Sequence, residues 1–304
     1  MYKYIFKFLV YSSNIPNILR GFMFIILCYA PTVWAQSKEI AHSAIEQQHQ
    51  QVKQQMEEAI VQDAVTVIDN TKKAISYLKE GKEKEAIATI EYATGKVNIL
   101  LARRPENALL PISSQVILID AAPQKISNIR NISKAAEKAI KEKNYPHSRV
   151  LLNILRDEIN IHTYNLPLAT YPSALKTAAR LIEEKKSKAA IETLENALVE
   201  LVSINRTIPL PIIHANIMSK MAEENYKTDK EIALNYLASA RDNLERAKEL
   251  GYTGNDSGYN TLIRSIKDLE KQIKSNKNSD AAFVHLKTEL SEFLKRLSDL
   301  VVDI

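Results

Sequence analysis

Residues 165–183 read NLPLATYPSALKTAARLIE, and the way the chain passes Pro167 and Pro172 decides its architecture. A proline disfavours helical backbone at the residue before it, so Pro167 drives Leu166 into an extended conformation and closes a strand. Pro172 suits the first turn of a helix, where its missing N–H leaves no hydrogen bond unmade. The stretch is a strand-to-helix corner, and Leu166, Leu168 and Tyr171 are the side chains that pin it. Immediately upstream, EINIHTYNL (158–166) alternates Ile159, Ile161 and Thr163 with Asn160, His162 and Tyr164, the period of a strand. Val116–Ile119 is a short β-branched or leucine run of the kind buried on both faces of a sheet. A small two-stranded β element is expected, at about 115–120 and 158–165.

The remainder reads as helix. Only six glycines occur in 304 residues, against a usual share of about 7%, which disfavours sheet-rich and glycine-loop folds. Residues 38–80 carry apolar or small side chains at helical spacing, and Gly81 is a natural C-cap. A second helix is expected from about Lys84 to Arg103, another after IPLPII (208–213) to about Ala222, a strong amphipathic one at 231–252, and a further helix at 259–274. The fold class expected is mainly α, helix hairpins packed as one bundle-like domain around the β element. Three segments echo one another: LKEGKEKEAIATI (78–90), IKEKNYPHSRVLL (140–152) and IEEKKSKAAIETL (182–194). Each ends a helix, crosses a charged link and restarts, and each precedes a Leu-Pro or Ile-Pro step. Their starts are unequally spaced, so they form a recurring hairpin and not a solenoid.

The first 35 residues stand apart. Lys3, Lys7 and Arg20 are their only charges, and GFMFIILCYAPTVWA (21–35) is a short apolar run ending in small residues. That is the plan of a secretory signal cleaved after Ala35, with a retained N-terminal anchor as the alternative. Cys28, the only cysteine, follows Leu27, too large for a lipoprotein box, and would leave with the signal. The expected organisation is a signal at 1–35, a helical domain at 36–274, and an amphipathic helix at 281–304 after the polar linker KSNKNSD. The compartment expected is the periplasm, with no stable membrane span after cleavage. Removing the signal leaves 38 basic and 36 acidic residues, too even a balance for a nucleic-acid partner.

Phosphate-cradling glycine loops, the G-x-S-x-G elbow, H-E-x-x-H and cysteine metal ligands do not occur in the sequence. No catalytic residue, metal ligand or cofactor is therefore assigned, and an enzyme is not expected. His162 and Tyr164 point to one side of their strand. With Leu166, Leu168, Tyr171 and Leu210 they outline a candidate groove for unfolded clients or small apolar ligands, near the LPLATYP and IPLP corners. Phe283, Leu290 and Leu297 lie seven apart, as do Leu286, Phe293 and Leu300. This a/d pattern fits a helix on its own core, a helix that pairs in a homo-oligomer or docks a partner, or one on a membrane surface.

The block INIHTYNLPLATYPSALKTAARLIEEKKSKAAIETLENALVELVSINRTIPLPII (159–213) resembles the YfdX family of bacterial exported proteins. The similarity extends from about residue 60 to 274, through VILIDAAP and YLASARDNLERAKELGY. The resemblance implies a mainly helical periplasmic protein tied to acid and multidrug stress responses, with chaperone-like or small-ligand binding. It supplies no catalytic residue. The function expected is non-catalytic binding under stress; the alternative is a structural adaptor working through the C-terminal heptads.

Overall fold

The computed structural model describes residues 39–299. A boundary between two compact units falls after Glu46, and the second, from Gln47 onward, holds every element from α2 to the C-terminal helix. The signal segment 1–35 and Leu300 lie outside the described residues. Residues 39–58 are helical (α1). The helix expected over 38–80 is broken at 59–61, because the Val61 N–H leaves the helix to bond the carbonyl of Pro111 at 2.9 Å. The remaining order is α2 Gln62–Lys79, α3 Glu83–Arg103, β1 Leu109–Asp120, α4 Ile126–Lys141, α5 Tyr145–Ile154 and β2 Asp157–Pro167. Then come α6 Tyr171–Glu183, α7 Ser187–Val199, β3 Val202–Pro209, α8 Leu210–Asn225, α9 Lys230–Glu249, α10 Gly258–Lys274 and α11 Asp280–Asp299.

The molecule is mainly α, and the echo in the sequence is a threefold helix–helix–strand unit: α2–α3–β1, α4–α5–β2, α6–α7–β3. Its signature is the turn between the helices. Gly81, Lys143 and Lys185 occupy equivalent positions, and all three have left-handed backbone, with φ of 74°, 57° and 61°. The next N–H reaches back five residues, Lys82 to Tyr77, Asn144 to Ala139 and Lys186 to Leu181, each at 2.8 Å. This is the Schellman turn that satisfies the last carbonyls of a helix. It recurs after α9 at Gly251 and after α10 at Asn276.

The three strands form one antiparallel sheet in the order β1-β2-β3. The sequence leads one to expect two. The third, VSINRTIP, lacks clean alternation because Arg206 and Thr207 follow Asn205, which hides it. β1 is also not buried on both faces: it is an edge strand, and every residue from Pro111 to Asp120 keeps some exposure. One sheet face carries Ile159 and Ile161, both buried; the other carries Asn160, His162 and Tyr164.

The hairpins associate in pairs. The α2–α3 hairpin meets α6–α7 through α3 on α6 and α2 on α7. Their shared core includes Val67, Ile90, Val97, Leu175 and Leu194, closed at one end by Leu110, Leu166, Leu168 and Tyr171. The α8–α9 and α10–α11 hairpins form a second four-helix group, in which α11 packs on α8 and α10. The α4–α5 hairpin is left over: α5 packs chiefly on α4, which leans on α9.

Candidate functional site

The corner behaves as its prolines require. Pro167 ends β2, and Pro172 sits in the first turn of α6. Leu166, Leu168, Tyr171 and Leu210 are all at most 2% exposed, so they belong to the core and cannot line an open groove. The Tyr171 hydroxyl donates to Thr71 Oγ1 at 2.9 Å, and the Thr71 hydroxyl donates to the Val67 carbonyl. A shallow depression of about 510 Å³ beside the corner is lined largely by polar chains such as Asn98, Ser173, Lys176 and Arg180.

His162 and Tyr164 part company with those four. They lie on the other face of β2, where Tyr164 is 45% exposed and stacks on the His162 ring at 4.7 Å between centroids. The register brings Gln115 and Asn205 to either side of His162, and Ser113 and Ser203 to either side of Tyr164. Ile117, 40% exposed, stands opposite Asn160 on the same row. The result is a flat platform of one aromatic stack, one exposed aliphatic chain and several amides and hydroxyls. Ser203 Oγ and His162 Nε2 are hydrogen-bonded at 2.6 Å. The carboxylate on that row of β2, Glu158, is held instead by Arg156 at 2.6 Å and by the Tyr252 hydroxyl at 2.9 Å. His162 therefore has no orienting acid of the kind a nucleophilic triad uses. The Asn205 carboxamide oxygen is buried without a hydrogen-bond partner.

A second constellation, unforeseen in the sequence, lies where β1 ends and β2 begins. Asp157 is fully buried and its carboxylate touches the Arg246 guanidinium at 2.5 Å. The contact is off the N–H direction, so neither Asp157 oxygen has a well-aligned hydrogen bond. Arg246 also bonds the carbonyls of Ala122 and Pro123, at 2.8 and 3.2 Å. The Tyr252 hydroxyl accepts from the Asp157 N–H at 2.7 Å. Burial pushes the Asp157 carboxyl up to about 7; Arg246 opposes this, and Asp120, its partner across the strands, reinforces it. Burial likewise depresses the neighbouring His214, with Arg246 adding to the effect. With Asp157 closed to solvent, the cluster is a clamp on the α4–α5 root, where Ala121 and Ala122 N–H both bond the Arg156 carbonyl. No spacing rule could flag it, because its members come from β1, β2, α8, α9 and the turn after α9.

The C-terminal heptad is spent internally. Phe283, Leu286, Leu290, Phe293 and Leu297 are between 0 and 6% exposed. Gly258 opens α10 where a Cβ would crowd the mobile end of the Arg296 side chain and stand 3.2 Å from the Phe293 ring, so α10 and α11 approach closely at this point. Among the described residues no group of three or more His, Cys, Asp or Glu is placed to hold a metal. No helix among them is long and apolar enough to cross a membrane.

No curated protein matches the chain. Among solved structures, one of Salmonella Typhi YfdX is 16% identical to it. That likeness covers 50% of this chain and 93% of the other, with a TM-score of 0.34. The family model described as YfdX protein matches residues 67–207, which run from within α2 to near the end of β3 and so take in all but the edges of the threefold unit. Over residues 67–207, a little under half of its length, the chain matches the YfdX family.

Proposed function

We propose that the protein is exported and stress-associated, and acts by binding unfolded clients or small apolar molecules without catalysis. The observation that supports this best is the open sheet face, where Tyr164 and Ile117 stand exposed among amide and hydroxyl side chains. A flat aromatic–amide surface suits extended polypeptide or planar ligands: the rings supply apolar area, and the surrounding polar groups fix orientation. The site differs from the groove expected at the proline corners, since it keeps His162 and Tyr164 and loses the four core side chains. An adaptor working through the C-terminal heptad has less support, because the apolar side of α11 already faces its own chain.

The test is suppression of client aggregation. The purified chain should hold an acid-stressed client in solution at near-stoichiometric ratio, and Tyr164→Ala combined with Ile117→Ser should weaken this several-fold without altering the helical circular dichroism. Absence of suppression at every pH from about 3 to 8 overturns the client reading, and full activity in the double variant moves it off this face.

A further inference from the structure

The α4–α5 hairpin differs from its two siblings in the threefold unit. At the tips of α2–α3 and α6–α7 four lysines meet carboxylates, Lys82 with Glu80, Lys79 with Glu195, Lys185 with Glu83, and Lys186 with Glu184, at 2.7 to 2.9 Å. Between Ile126 and Ile154 there are six basic residues against two acidic ones, so this hairpin supplies four of the chain's five net positive charges. Arg130 is held by Glu245 and Glu249, and Lys138 stands 3.9 Å from Glu142. Among the described residues Lys134, Lys141, Lys143 and Arg149 have no carboxylate partner. Every residue from 140 to 147 is exposed.

The same hairpin holds five of the twelve exposed large hydrophobic side chains among the described residues: Ile140, Tyr145, Val150, Leu152 and Ile154. Tyr145 and Val150 are each 57% exposed. A helix apolar on several sides is ordinarily buried, yet α5 packs chiefly on α4 and leaves these side chains exposed. Free cations interleaved with exposed aliphatic and tyrosine side chains make the surface of an interfacial membrane anchor. The cations meet lipid phosphates, the aliphatic chains enter the acyl boundary, and tyrosine sits at headgroup level.

We propose that the α4–α5 hairpin docks the protein on an anionic phospholipid bilayer, through its free basic side chains and the exposed apolar chains from Ile140 to Ile154. Charge decides among occupants. A second copy paired symmetrically would set two identically basic hairpins together and be repelled, and a nucleic acid would leave the five apolar chains unmatched. This surface is separate from the sheet platform, so either assignment can fail without the other.

The experiment is co-sedimentation of the full chain with vesicles of phosphatidylcholine alone and of phosphatidylcholine with about 30% phosphatidylglycerol. The excess of binding to the anionic vesicles reads the hairpin, because the N-terminal apolar segment is common to every sample. That excess is expected to be large at about 50 mM salt and to collapse at about 500 mM. Each cation near such a surface contributes about a factor of five, so K141E/K143E/R149E should lower it by about a hundredfold or more. Tyr145→Ser with Val150→Ser should lower it at unchanged salt dependence, and K82E/K84E on the sibling tip should leave it intact. Equal binding to both vesicles, or an unaffected triple variant, overturns the proposal. So does preference for a short DNA duplex over the vesicles with no loss in Tyr145→Ser/Val150→Ser.

Discussion

Single residues in this chain are set by what burial does to their polar atoms. Tyr171 fills the end of the first core, and its hydroxyl is tolerable there because Thr71 accepts it. Asp157 is the costlier case. Its folded-state acidity is displaced from 3.8 to about 7, since burial penalises the carboxylate more than Arg246 favours it. A carboxyl raised in this way binds its proton more tightly folded than unfolded. It therefore contributes stability that is complete below about pH 4 and lost as the pH climbs through about 7. Asp157→Asn cannot ionise and should lack that slope. Thermal melts of both proteins from about pH 4 to 8 should show the parent losing stability relative to the variant, on the order of a few kcal/mol. Parallel curves would mean that Asp157 ionises as it would in water.

Among elements, the turns and the corner are legible in the sequence and the sheet only half so. Gly81 and the two prolines announce themselves because each restricts backbone angles locally. Lys143 and Lys185 hold the same left-handed turn without a glycine, and only their place in the echo reveals them. A lysine there costs about 1–2 kcal/mol that glycine does not incur. The Lys185–Glu83 pair it would forfeit is a surface contact of small value. Lys185→Gly should consequently raise stability by about 0.5–1 kcal/mol in urea unfolding, while a fall would mean that the turn is held by the ion pair. β3 escapes notice because a strand with one half-open face and an interrupted alternation carries no periodic signal. The heptad of α11 is visible, but the surface it meets, α8 and α10, is a tertiary fact.

At the scale of the molecule, hairpins bury their apolar faces by pairing, and this chain has an odd one. Four of the five hairpins close two helical groups, the sheet joins the threefold units, and α4–α5 is left with exposed apolar chains and unneutralised charge. Mainly α architecture follows from the scarcity of glycine and the helical stripes, whereas the leftover hairpin and the open sheet face emerge only when partners are assigned in space. The candidate groove shows the same divide. Period alone places His162 and Tyr164 on one strand face, but Leu166, Leu168, Tyr171 and Leu210 prove to be core, because a sequence does not state which apolar residues are covered.

Hydrogen–deuterium exchange of the chain, with and without a saturating unfolded client, tests the assignment of client binding to the sheet face most directly. Client-dependent protection is expected on peptides spanning 113–119, 160–164 and 203–207, with the α2–α3–α6–α7 core unchanged. Protection confined to other segments, or none at a client concentration that is held in solution, would contradict it.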